Sequence, residues 1–131
     1  MKKIALVLLA MLLLAGCGKQ EEENQVGQAG SYVSIKAEAA KKLMDEEPDC
    51  IILDVRTRQE YESGHIPGAL LMPNEEIRER AEAELTDKAQ LILVYCRSGN
   101  RSKQASEALV EMGYTNVREF GGINDWPYDI E

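Results

Sequence analysis

Seven consecutive residues, Cys96-Arg97-Ser98-Gly99-Asn100-Arg101-Ser102, combine a nucleophile, two fixed cations and a turn-forming glycine. A thiol is a strong nucleophile only as a thiolate, and nearby cations and unpaired backbone N–H groups favour that form. Arg97 and Arg101 lie within five positions of the thiol, so at least one is expected to face a bound anion. Gly99 admits a tight turn, and Asn100 tolerates left-handed backbone. Ser98 and Asn100 read as shaping the loop rather than reacting. Ser102 stays open between two roles, a hydroxyl donor to the sulfur and a helix-start residue. Together the seven read as an anion cradle built around a nucleophilic sulfur.

Such a cradle needs a strand to deliver it and a helix to close it. Residues 91–95 are the unbroken apolar run Leu-Ile-Leu-Val-Tyr, the pattern of a strand buried on both faces of a parallel sheet. Beyond the loop, Ala105, Ala108, Leu109 and Met112 recur at helical spacing. The loop therefore joins the carboxyl end of a strand to the amino end of a helix. Open α/β sheets bind ligands at that edge, and the helix dipole there favours negative charge. The rest of the chain alternates in the same way. Strands are expected at 32–35, 50–54 and 117–120, and helices at 36–46 and 74–85, the second capped by Asn74 and striped by Ile77, Ala81 and Leu85. One helical turn is expected at 59–63, and Gly113 reads as the stop of the helix that follows the loop. Alternating strands and helices imply an α/β domain with a parallel sheet.

Three motifs in order make the chain resemble the rhodanese-like sulfurtransferases. The loop from Cys96 to Ser102 resembles that family's active-site loop. Leu53-Asp54-Val55-Arg56, Glu60-Tyr61 and Gly64-His65-Ile66-Pro67-Gly68-Ala69 match its first signature, and Gly121-Gly122 followed by Trp126 matches its closing one. The resemblance covers residues 31–131 and implies a rhodanese-like fold, a small parallel sheet flanked by helices. It implies that Cys96 takes sulfane sulfur from a donor such as thiosulfate, holds it as a persulfide, and yields it to a thiol or cyanide. Arg97, Ser98, Gly99, Asn100, Arg101 and Ser102 would bind the substrate anion.

Asp54, Arg56, His65 and Trp126 read as supporting residues. An unpaired carboxylate at Asp54 would oppose a thiolate at the same sheet edge, so Asp54 is expected to be occupied by Arg56, Arg58 or loop amides. His65, the one histidine, invites the role of general base. A loop-shaping role is preferred, because sulfur transfer from an acidic thiol needs no dedicated base. Gly121-Gly122 reads as backbone geometry, and Trp126 as core packing or a wall of the pocket. No Cys/His cluster stands at metal-ligand spacing and no nucleotide-binding glycine motif is present, so neither metal nor cofactor is expected.

At 131 residues, one domain is expected. Met1-Lys2-Lys3 followed by an apolar run from Ile4 to Gly16 has the layout of a secretory signal, too short for a comfortable membrane span. Leu14-Ala15-Gly16-Cys17 resembles the bacterial lipobox. Residues 1–16 are thus expected to be a cleaved lipoprotein signal, with Cys17 lipidated and the mature chain anchored to a membrane of the cell envelope, outside the cytoplasm. Residues 17–30, with Glu21-Glu22-Glu23, read as an acidic, flexible tether spanning about 20 Å. Losing residues 1–16 removes only Lys2 and Lys3, taking the formal charge from −8 to −10. That acidity argues against nucleic acid and against adhesion to anionic lipid. It also sets the Arg97/Arg101 pair against a repulsive background.

Two other classes compete with the sulfurtransferase reading. One is a phosphatase or arsenate reductase, which also uses a cysteine in an anion cradle. Only four residues separate Cys96 from Arg101, however, one fewer than the Cys-x5-Arg spacing of phosphatase-type cradles. The other is a lipid-anchored carrier, redox or interaction module whose cysteine is not turned over. An even pair, Cys50 and Cys96, remains once Cys17 is lipidated, and it invites a disulfide. The resemblance makes their strands parallel neighbours, with the two thiols at opposite edges of the sheet, so no bridge is expected.

Overall fold

The computed structural model describes residues 30–131. The signal at 1–16, the lipidation at Cys17 and nearly all of the tether lie outside the described residues. Five strands alternate with four helices in chain order: β1 (Val33–Ser34), α1 (Ala37–Glu46), β2 (Ile51–Asp54), α2 (Arg58–Glu62), β3 (Leu70–Leu71), α3 (Ile77–Glu84), β4 (Ile92–Cys96), α4 (Asn100–Glu111) and β5 (Val117–Gly122). The strands form one sheet in the order β1-β5-β4-β2-β3, parallel at every pairing. This is the expected small parallel sheet with helices between its strands.

β4 lies at the centre, with all five of its residues buried. Successive side chains of a strand point to opposite faces. Ile92, Val94 and Cys96 accordingly join a core with Ile77, Ala81 and Leu85 of the α3 stripe and with Ala105 and Leu109 of α4. Leu93 and Tyr95 face a second core with Ala40 of α1, Ile66 and Phe120. Removing such wholly buried side chains from water contributes roughly 1.5–3 kcal/mol each, so the strand that delivers Cys96 is anchored from both sides.

Four local expectations need correction. Asn74 does not cap a helix: its side chain donates to Gln104 Oε1 at 2.8 Å, a 3-10 turn covers Asn74–Glu76, and α3 starts at Ile77. The two-residue strand β3 was not expected, since two leucines carry no readable period. Cys96 is the last residue of β4 rather than the first of the loop. Asn100 is helical, and no non-glycine residue among those described has positive φ; Gly99, at φ +115°, takes that geometry instead. Gly113, at φ +102°, ends α4 as expected. The turn expected at 59–63 is α2, fixed by a capping box in which Thr57 and Glu60 satisfy each other's backbone N–H.

Cys50 and Cys96 are both free thiols. Ile51 pairs with Ile92 and Asp54 with Tyr95, so Cys50 precedes one end of the β2–β4 ladder and Cys96 follows the other. No helix among the described residues is long and apolar enough to cross a membrane.

Candidate active site

Cys96 is 1% exposed and sits where β4 gives way to α4. The Gly99 N–H donates to its Sγ at 3.0 Å. Gly99 reaches this position because its left-handed backbone, unstrained without a Cβ, turns the chain back over the thiol one residue before the helix begins. The first N–H groups of a helix have no intrahelical acceptor, so the start of α4 presents donors and the positive end of its dipole beside the sulfur.

A second glycine holds the loop from outside. A Cβ on Gly122 would sit 1.9 Å from the Arg97 carbonyl oxygen, so that position accepts no side chain. The close approach lets the Asn124 N–H donate to the same carbonyl at 3.2 Å. The closing Gly121-Gly122 pair is therefore backbone geometry, as read from the sequence, and here it clamps the cradle.

The two arginines differ. Arg101 is held by Glu60 of α2 in a two-pronged pair, Nη1 to Oε1 at 2.8 Å and Nη2 to Oε2 at 3.0 Å. Glu60 is itself fixed by the Thr57 N–H at 3.0 Å. The Arg101 hydrogen bonds, foremost, hold the Glu60 carboxyl at about 2. The pKa of Arg101 is raised, chiefly by Glu60 and to a smaller degree by Cys96. Arg101 is thus positioned near the thiol, but its charge is already paired. Arg97 is exposed and forms no ion pair among the described residues. The expectation that one arginine faces an anion narrows to Arg97. Ser98 and Asn100 are exposed parts of the loop and the helix start.

Ser102 does not reach the sulfur. Its hydroxyl donates to Glu119 Oε1 at 2.9 Å and lies 2.9 Å from the Gly99 carbonyl. Of its two possible roles, it takes the one at the helix start.

Asp54 is occupied as expected. Arg56 donates to it through Nε and Nη2, at 2.9 and 2.7 Å, and through its backbone N–H at 3.0 Å. Arg56 Nη2 also donates to the Gly64 carbonyl at 2.8 Å. The Tyr95 hydroxyl, donating to Asp54 Oδ2 at 2.6 Å, was not foreseen. Burial, then this carboxylate, pushes the phenol far above its ordinary range, so it stays a donor. It also accepts the Ile66 N–H at 3.0 Å, tying β4 to the His65 loop.

His65 stacks on the Tyr61 ring at 3.8 Å between centroids, and its Nδ1 lies 3.0 Å from the Tyr61 carbonyl. Its backbone exchanges two hydrogen bonds with Glu131. These contacts tie His65 to Tyr61 and Glu131, and none of them is with Cys96. Trp126 packs on Phe120 in the core on the α1 face. It lines a 350 Å³ groove with Met44, Ile52, Ile66, Pro67 and Tyr128; this groove includes no residue of the cysteine loop. Of the two readings, these contacts support core packing. No group of three or more potential metal-ligating side chains occurs among the described residues.

Glu60 entered the sequence reading only as part of a motif, though Thr57-x-x-Glu60 is a readable capping box. Glu119 was missed altogether. Its signal is an acid two positions after Val117, in the inward register of a buried strand.

A parallel sheet with a cysteine at the carboxyl end of its central strand, cradled by the following helix start, defines a class of thiol-based α/β domains. Within that class, this chain belongs to the rhodanese-like family, whose model, described as "Rhodanese-like domain", matches residues 36–128. It is 42% identical over 73 residues to the thiosulfate sulfurtransferase PspE of Escherichia coli, covering 56% of this chain and 70% of that one. It is 36% identical over 110 residues to the putative sulfur carrier protein YrkF of Bacillus subtilis, covering 83% of this chain and 56% of the other. Among solved structures, the rhodanese-like domain of the Alr3790 protein from Anabaena superposes with a TM-score of 0.70 at 34% identity, over 77% of this chain and 80% of that one.

Proposed function

We propose that this chain is a sulfurtransferase that moves sulfane sulfur from a small anionic donor such as thiosulfate to a thiol or cyanide. The observation that carries the reading is the Gly99 N–H aimed at Cys96 Sγ from 3.0 Å, because a fixed donor at that atom stabilises negative charge wherever it resides on sulfur. The Cys96 thiolate attacks the outer sulfur of thiosulfate. A sulfur–sulfur bond forms, the bond to the sulfonyl sulfur breaks, and its electron pair leaves with sulfite. The new terminal sulfur carries the negative charge that Sγ carried before. An acceptor thiolate or cyanide then attacks that terminal sulfur, and its bond to Sγ breaks in favour of the regenerated thiolate. Arg97, the unpaired arginine of the loop, draws the donor in, while Arg101 is held in place by Glu60. Likeness to PspE supports the enzyme; likeness to YrkF supports a carrier that uses the same persulfide without fast turnover.

The test is mass spectrometry after mixing the protein with thiosulfate. A gain of about 32 daltons on Cys96, the mass of one sulfur, should appear and be discharged by cyanide with ping-pong kinetics. Aryl phosphate hydrolysis should be negligible, since a Cys-x4-Arg loop closes on a smaller space than a phosphoryl group needs. Cys96-dependent phosphate release faster than sulfur transfer would move the protein to the phosphatase class. A carrier would load sulfur yet release it slowly to every small acceptor.

The same proposal places the domain at the bacterial cell envelope, outside the cytoplasm, held to a membrane through lipidated Cys17. Cys17→Ser should shift the chain from the membrane fraction to the soluble one; an unchanged distribution would remove the anchor from this reading.

A further inference from the structure

We propose that Glu119 is a positioning residue for the Cys96 loop. The role rests on the reading of Cys96 as the reacting group. Glu119 is 2% exposed and has no cationic partner among the described residues. Burying a carboxylate without a counter-charge is costly unless hydrogen bonds replace water. Its oxygens receive three. Oε2 accepts the Ser34 hydroxyl of β1 at 2.8 Å. Oε1 accepts the Ser102 hydroxyl of α4 at 2.9 Å and the Gly121 N–H at 2.9 Å.

Two of these donors, Ser102 and Gly121, belong to the segments that surround the cradle. Ser102 lies 2.9 Å from the Gly99 carbonyl, so its position fixes the direction of the peptide that follows Gly99. Gly121, at φ +88°, leads into Gly122, whose missing side chain admits the Arg97 carbonyl. One carboxylate therefore braces the loop both at the helix start and at the glycine clamp. Without it, Ser102 and Gly121 lose a shared acceptor, and the Gly99 N–H loses the support that keeps it on Sγ. Glu119 touches neither the sulfur nor a substrate; it acts through Ser102, Gly121 and Gly99.

The test compares Glu119→Gln with Glu119→Ala in the full chain. Both remove the negative charge, but only glutamine keeps an acceptor for Gly121 and Ser102. The difference between them therefore reads positioning alone, free of any charge effect on the thiol. The measured quantities are the rate and pH profile of Cys96 alkylation by iodoacetamide, and kcat and KM for thiosulfate. Alkylation needs no sulfur donor, so failure of this role is distinguishable from failure of the sulfurtransferase reading. The alanine variant should alkylate about fivefold more slowly than the glutamine variant near neutral pH, the effect of one ordinary hydrogen bond lost. Its profile should lie at higher pH, and the loss should fall on kcat rather than KM. Rates equal within about twofold, relative to that same one-bond scale, overturn the role. If Glu119→Ala does not fold, Ser34→Ala decides, because it frees Glu119 from a strand that does not touch the loop. Slower Cys96 alkylation in Ser34→Ala supports the role, and a wild-type rate overturns it.

Discussion

Cys96 and Cys50 stand at opposite ends of neighbouring parallel strands, and the fold makes them different groups. Cys96 ends β4 at its carboxyl edge, where Gly99 donates to its sulfur and the Arg101 charge is felt. Cys50 precedes the amino end, half-buried, in a depression lined by Glu47, Asp49 and Asp87. Burial first, then Glu47, pushes the Cys50 thiol up from its ordinary value. A parallel sheet gathers the starts of its following helices at one edge, so donors and dipoles collect there and not at the other. Side-chain type is shared by the two sites; the direction of the backbone is not.

The largest test of this contrast is Cys96→Ser. It should abolish sulfur loading and transfer while leaving thermal unfolding within a few degrees of wild type, since serine fits the thiol's space. Retention of half the activity would erase the distinction between the two edges. The next is Gly122→Ala, which acts on the clamp. Its φ of −137° suits any residue, so the whole effect comes from the overlap with the Arg97 carbonyl. Overpacking of this kind costs about 1–3 kcal/mol, and the displaced loop should lower transfer by about a hundredfold, as 1 Å misplacements do. Stability and rates near wild type would show that the loop does not depend on this approach.

Glu60→Gln tests the charge of the carboxyl edge. Glutamine still meets Arg101 and Thr57, but the site gains one net positive charge. KM for thiosulfate should fall by about threefold at low salt and return toward wild type as salt screens the site. A pH effect accompanies it. The folded-state value of about 2 lies below the ordinary 4.5, so the ionised carboxylate stabilises the fold above about 4.5, and this contribution is lost as pH falls through about 2. The variant should lack that component of acid destabilisation. Identical pH–stability curves for both proteins below 4.5 would show that the ion pair contributes nothing.

Much of this was legible in the chain, for physical reasons that differ by element. The run at 91–95 announced a central strand because both of its faces are buried, and Ile77, Ala81 and Leu85 announced α3 because a helix buries one stripe. The Cys96 loop was legible because chemistry and turn geometry coincide in seven residues. Partnerships across the fold were not legible. Arg101–Glu60 and Tyr95–Asp54 each join residues 41 positions apart, and no local period records such a pairing. Glu119 was hidden for a related reason: an acid in a short strand reads as surface until the three donors around it are known. Asn74 was misread because a good capping residue caps only if the chain turns into the helix there, and a 3-10 turn intervened.

The smallest effect belongs to the amino edge. Alkylation proceeds through the thiolate, so a thiol whose pKa is raised reacts slowly near neutral pH. Native Cys50 should therefore lag behind Cys96 toward iodoacetamide, although Cys50 is the more exposed of the two. Access and ionisation predict opposite orders, so the measured order shows which one governs. Glu47 is an exposed residue, and its influence on the thiol passes partly through water, where salt weakens it. Glu47→Gln should speed Cys50 alkylation by only about twofold at low salt and by less at high salt, without changing Cys96, because exposed charges contribute fractions of a kcal/mol. A Cys50 that reacts faster than Cys96 in the native protein would mean that exposure, not the chemistry of the sheet edge, sets the reactivity of both thiols.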